Sequence, residues 1–297
     1  MYKRIQDSDK VFIFFILLIS VWHIVCIFSF PGTDEAFYPT AAFRLIGGDS
    51  MVSDEWHLTQ FSSLFSYLPV LIWLKLKGSA EGMIIFLRVV YLLIHASCSV
   101  VLYRSLRKFG FAASIASILF FMAIPYSIAS ISYISVYLLC SVFCSLLIFR
   151  ISESPRKIYY IGAGFLYGCC CVCNPLLSLV FILYCLLAVL IYFVRKANKN
   201  SPKKSRNKNL KKSPENIGHK TFFVSDNVFG LYFCAKSVLM FFCGICIIAA
   251  VAVVFFFLTG GTLSGITENI AMMLKYTEYS DGLTDRIIMI YNAFSSL

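Results

Sequence analysis

The sequence predicts an all-α integral membrane protein with seven transmembrane helices and a long helical first extracytoplasmic loop. Three observations predict it. Of 297 residues 59% are hydrophobic and 14% charged, with mean hydropathy +0.80, outside the range of soluble globular domains. The apolar residues fall into runs long enough to cross a hydrocarbon core of about 30 Å. The Lys and Arg residues are unevenly shared among the segments between those runs, as the positive-inside rule requires of a polytopic chain.

In order, the predicted spans are 11–30, 82–103, 111–128, 131–149, 158–173, 176–194 and 231–258. The first is too long for a signal-peptide core, and Phe28-Ser29-Phe30-Pro31-Gly32 offers no small-x-small cleavage site, so it is expected to remain as a span. The apolar run Phe111–Phe149 is twice the spanning length and carries Pro125-Tyr126-Ser127 near its middle, which predicts a helical hairpin. Ile158–Val194 repeats the arrangement with a break at Asn174-Pro175. The basic segment 195–220, rich in Lys, Asn, Ser and Pro, is expected to be a solvated inner loop. No internal repeat of the inverted-repeat transporter kind is evident.

Charge sets the orientation. With the N-terminus inside, the inner segments hold 19 Lys and Arg, ten of them in 195–220. The outer loop 31–81 and the outer tail 259–297 hold five: Arg44, Lys75, Lys77, Lys275 and Arg286. The net charge of +11 is therefore a matter of topology rather than of nucleic-acid binding. The twelve cysteines all lie in apolar runs, and the spacings Cys170/Cys173 and Cys243/Cys246 have no nearby His, so they read as packing residues rather than disulfide, metal or redox sites.

Chemistry is expected in the first outer loop, where Asp34, Glu35, Asp49, Asp54 and Glu55 place five of the fifteen carboxylates in twenty-two positions. Thr33 suits an N-cap, with Asp34 and Glu35 in the first turn and a stop at Gly47-Gly48. On that helix Phe37, Ala41, Arg44 and Leu45 share one face, expected to lie on the membrane surface. A second helix is expected from Asp54 or Glu55, and the stretch Tyr67–Leu74, broken by Pro69, reads as interfacial. Two acidic helix starts could then converge on one pocket. Elsewhere, His57 beside Trp56 reads as a ligand or a surface residue, and His23 and His95 as intramembrane groups bonded to a neighbouring helix. The tail carries Ile270, Met273 and Leu274 at the spacing of an amphipathic interfacial helix.

The order Asp34-Glu35-x-x-Tyr38, Leu45-Ile46-Gly47-Gly48-Asp49, then Asp54-Glu55 followed by His57 and a helix with Pro69, resembles the first periplasmic loop of GT-C glycosyltransferases. That superfamily includes protein O-mannosyltransferases and the lipid A aminoarabinose transferase. The resemblance extends to Gly78–Gly110, with Arg88 opening a span and a basic turn ending in Phe109-Gly110, and to the Gly-rich stretch Gly162–Leu177. It implies inverting transfer of a sugar from a polyprenyl-phosphate donor to a lipid, glycan or protein acceptor at the extracytoplasmic face of the cell membrane. By match to the motif, Asp34 would be the base and Glu35 would orient the acceptor. Tyr38, Asp54, Glu55 and His57 would hold substrate, and Arg88 and Lys275, with Arg286, would meet the donor phosphate. The resemblance implies no certain cofactor; the second acidic position could take a divalent cation.

Two departures stand beside it. Related enzymes often carry an acid at the start of the fourth span, where this chain reads Ser132-Tyr133-Ile134-Ser135-Val136. They also usually continue through several more spans, so a chain ending at Leu297 is expected to be truncated, split or degenerate. The competing class is non-enzymatic: a transporter or lipid flippase, or an inactive partner of a transferase.

Overall fold

Apolar runs bounded by Gly, Pro and Ser should form helices that satisfy their own backbone, and in the computed structural model they do. It describes residues 2–29, 33–54, 59–200, 235–268 and 271, and within these the chain is helical with no strand. The helices are α1 (Tyr2–Ile27), α2 (Thr33–Gly47), α3 (Ser63–Lys77), α4 (Met83–Leu106), α5 (Phe111–Met122), α6 (Tyr133–Glu153), α7 (Lys157–Cys173), α8 (Leu177–Asn200) and α9 (Ala235–Leu258). Four stretches are long and apolar enough to cross a membrane, Gln6–Ile27, Met83–Phe109, Tyr133–Glu153 and Ser237–Leu258. The helices α5, α7 and α8 contribute shorter apolar stretches.

Several boundaries differ from those the sequence suggested. Helix α5 ends at Met122, not near 128, because Ile124 precedes Pro125 and is pushed into extended backbone. At 12 residues α5 is about 18 Å long. Its last carbonyls are met by two neighbours: His95 Nε2 bonds the Phe120 oxygen at 2.9 Å and His23 Nε2 the Phe121 oxygen at 2.8 Å. The α6 start is fixed by a reciprocal Ser132/Ser135 capping box. Pro69 does not break α3, which runs unbroken to Gly78, a left-handed cap whose N–H bonds the Leu74 carbonyl at 2.8 Å. Helix α8 continues to Asn200, beyond the expected 194, while 201–234 lie outside the described residues.

Helix α5 packs on α1 and α4, and α7 packs on α6 and α9. The α7–α9 crossing is close because Gly164 faces Gly244 and Gly168 faces Ile245 and Ile248: a Cβ on Gly164 would collide with the Phe241 carbonyl, and one on Gly244 with that of Ile161. Contacts sort the helix ends into two groups. At one, Arg107 pairs with Asp9, Ser8 bonds Ser114 (2.6 Å), and Lys108 pairs with Glu153. At the other, Arg88 meets the end of α1, Tyr38 meets Tyr133, and Met51 meets Thr259. The segments 104–110 and 150–157 thus share the end where α1 begins, and the first loop lies at the opposite end with the close of α9.

Candidate functional site

Helix α2 separates the two acids of its first turn by register. Positions 35, 39, 42 and 46 form one face, on which Glu35, Pro39 and Ala42 are fully buried against α3 and α4. Positions 34, 37, 38, 41 and 45 form the other. There Phe37, Tyr38, Ala41, Arg44 and Leu45 line a cavity of about 30 Å³, closed by Asp49–Met51 and by Thr59, Gln60, Ser62 and Ser63. The face expected to lie on the membrane surface is therefore turned into a cavity, because residues 49–51 and 59–63 lie over it.

The loop that covers the cavity is tightly held. Asp49 Oδ2 accepts from Arg44 Nε at 2.5 Å, and Asp54 Oδ2 accepts from the Ser50 N–H at 2.5 Å. Val52 adopts φ 71°, a backbone region costing a β-branched residue on the order of 1–3 kcal/mol, and donates its N–H to Gln60 Oε1 at 2.9 Å. Met51 and Val52 are buried against Phe255 and Phe256 of α9, and the Met51 N–H reaches the Thr259 carbonyl at 3.4 Å. Beyond α9, the Cβ position of Gly260 lies 2.9 Å from Ser50 Oγ, so glycine there lets the two segments touch.

Glu35 and Arg88 are joined to each other. Arg88 Nε and Nη2 donate to the two Glu35 oxygens at 2.9 and 2.6 Å, and Nη1 reaches the carbonyls of Cys26, Ile27 and Ser29 at 3.2, 2.7 and 2.7 Å. The pair is buried, with Glu35 at 0% and Arg88 at 3% exposure. A planar guanidinium suits this bidentate contact, and its third edge caps the orphan carbonyls that end α1.

Asp34 is in the first turn of α2, but its side chain lies outside the described ones, as do Glu55, Trp56, His57, Lys275 and Arg286. Tyr38 lines the cavity and packs on Tyr133 with ring centroids 5.1 Å apart. Asp54 lies in a turn, and among the described residues helical backbone next occurs at Gln60; the alternative helix start at Glu55 lies outside the described residues. Arg44, Asp49, Gln60 and Ser63 are cavity residues that sequence reasoning did not select; only the Arg44–Asp49 spacing across a Gly-Gly stop hinted at them. Among the described residues no group of three or more His, Cys, Asp or Glu is placed to hold a metal ion. The chain matches no protein-family model, no curated protein and no solved structure.

Proposed function

We propose that this chain is the membrane module of an inverting glycosyltransferase that moves a sugar from a polyprenyl-phosphate donor to a lipid, glycan or protein acceptor at the extracytoplasmic face, with Asp34 as general base. One observation carries the reading. By helical register position 34 falls on the side of α2 that carries the cavity residues Tyr38, Ala41 and Leu45, whereas Glu35 is held in a buried ion pair. A base must reach the hydroxyl it deprotonates, which Glu35, buried and held by Arg88 through both oxygens, does not do.

In this proposal the acceptor hydroxyl attacks the anomeric carbon as its bond to phosphate breaks. The proton passes to Asp34, and the polyprenyl phosphate leaves with the bonding electrons. Tyr38, Asp54, Glu55 and His57 bind sugar or acceptor, and Lys275 meets the donor phosphate. Glu35 and Arg88 act by fixing α2 on the ends of α1 and α4. A cavity of about 30 Å³ admits a water-sized group and not a sugar ring, so donor entry requires the 48–54 cover to move. All seven apolar helices cross the cell membrane, with the basic end cytoplasmic.

The small cavity and the internally satisfied Glu35–Arg88 pair favour one second reading, a non-catalytic partner that keeps the loop as scaffold. Membranes containing the chain, supplied with polyprenyl-phosphate sugars, are assayed for released carrier lipid. Release by the parent that falls by about 10²–10⁴ in Asp34→Asn supports the base. Equal release by both removes Asp34 as base, and no release by the parent selects the scaffold reading.

A further inference from the structure

Away from the first loop, an open apolar groove lies between the helices toward the basic end. Helix α5 is packed on α1 and α4, and α6 on α7, so α5 and α6 meet only loosely, Phe120 facing Phe143 with centroids 6.5 Å apart. Between them, over α4, runs an open groove of about 520 Å³. Leu106, Leu119, Ala123, Val142 and Phe149 are among its walls, and Ser145 is its one hydroxyl. A small residue, Ala116, leaves its flank open.

The mouth of the groove is charged. The Lys108 ammonium lies 5.3 Å from the ring centroid of the wall residue Phe149. Arg150 follows Phe149 in sequence and bonds the Ser105 carbonyl at 2.8 Å. Arg107 pairs with Asp9, and Lys108 and Arg150 share the single acid Glu153, so positive charge is in excess after internal pairing. A helix about 10 Å across would fill 520 Å³ with roughly one turn, too little to dock, whereas a flexible hydrocarbon chain needs only a narrow apolar slot.

We propose that this groove binds one acyl chain of an anionic phospholipid whose headgroup phosphate rests against Lys108 and Arg150. The site is independent of the first loop and of any reaction there. Recognition is divided between an apolar slot that accepts a tail without selecting it and a cationic mouth that selects headgroup charge.

The test uses the full chain in nanodiscs of phosphatidylcholine doped with a phospholipid carrying a diazirine on one acyl chain, with either a phosphatidylglycerol or a phosphatidylcholine headgroup. Crosslinked peptides are then mapped. The anionic probe should label the α5 and α6 walls about fivefold more than the zwitterionic probe. Lys108→Gln should reduce that preference, and Ala116→Trp, at an exposed position, should block labelling by both. Melting curves establish that the variants remain folded; if Lys108→Gln does not, the headgroup comparison on the parent chain decides alone. Equal labelling by the two headgroups means annular lipid only and overturns the proposal. So does undiminished labelling in Ala116→Trp, or recovery of a polypeptide crosslinked in the groove.

Discussion

Glu35 and Arg88 show why adjacent acids in one motif need not share a role. Removing one partner of a buried, hydrogen-bonded pair leaves the other charge uncompensated, at a cost of about 3–5 kcal/mol. Glu35→Ala and Arg88→Met should each lower the melting temperature in detergent sharply, and the double variant should fall well short of the sum of the two. Additive losses would show that the two side chains do not act as a pair. Asp34→Asn, which keeps the size of the side chain, should leave melting within about 0.5 kcal/mol of the parent. The pair was half legible in sequence: a lone Arg in the first turns of an apolar helix calls for a partner. Which acid supplies it, 53 positions away, depends on how α2 is rolled against α4. The residue between Asp34 and the buried positions 39 and 42 was the better candidate by register alone.

At the scale of elements, helices were read well where periodicity and stop signals agree, and poorly where neighbours decide. The bounds of α2 were readable from Gly47-Gly48, but its exposed face was not, since the cover folds back only through contacts with α9. The early end of α5 was encoded in Pro125, whereas the two histidines that cap it come from α1 and α4. His95→Leu leaves the Phe120 carbonyl without its side-chain donor in a dry site, and a loss of about 1–3 kcal/mol is expected in thermal unfolding. His95→Gln, which carries an N–H donor, should recover part of it. At the α7–α9 crossing the signal is purely steric. Gly164→Val should separate the helices and cost more stability than Gly47→Ala, whose added Cβ meets no atom within 4 Å. Similar losses at both positions would mean that glycine acts there only through chain entropy.

At the scale of the whole molecule, the arrangement of charge predicts how the chain sits in a membrane. The helix packing gathers the basic segments 104–110 and 150–157 at the end where α1 begins, and it binds residues 50–53 to the close of α9 at the opposite end. Among the described residues this grouping puts 104–110 and 150–157 on the same side as the charge count expects. Protease sites inserted after Gly48 and after Thr262 should therefore be cut together from one side of intact cells, and sites inserted after Arg107 and after Ser154 only after lysis. Replacing Arg104, Arg107, Lys108 and Arg150 by Gln should weaken that asymmetry, since positive charge near the span ends sets orientation. If the Gly48 and Thr262 sites were cut from opposite sides, the Met51–Thr259 contact could not exist in the membrane. The cover of the cavity would then lack the wall against which Met51 and Val52 are buried, and with it the force that holds Val52 at positive φ.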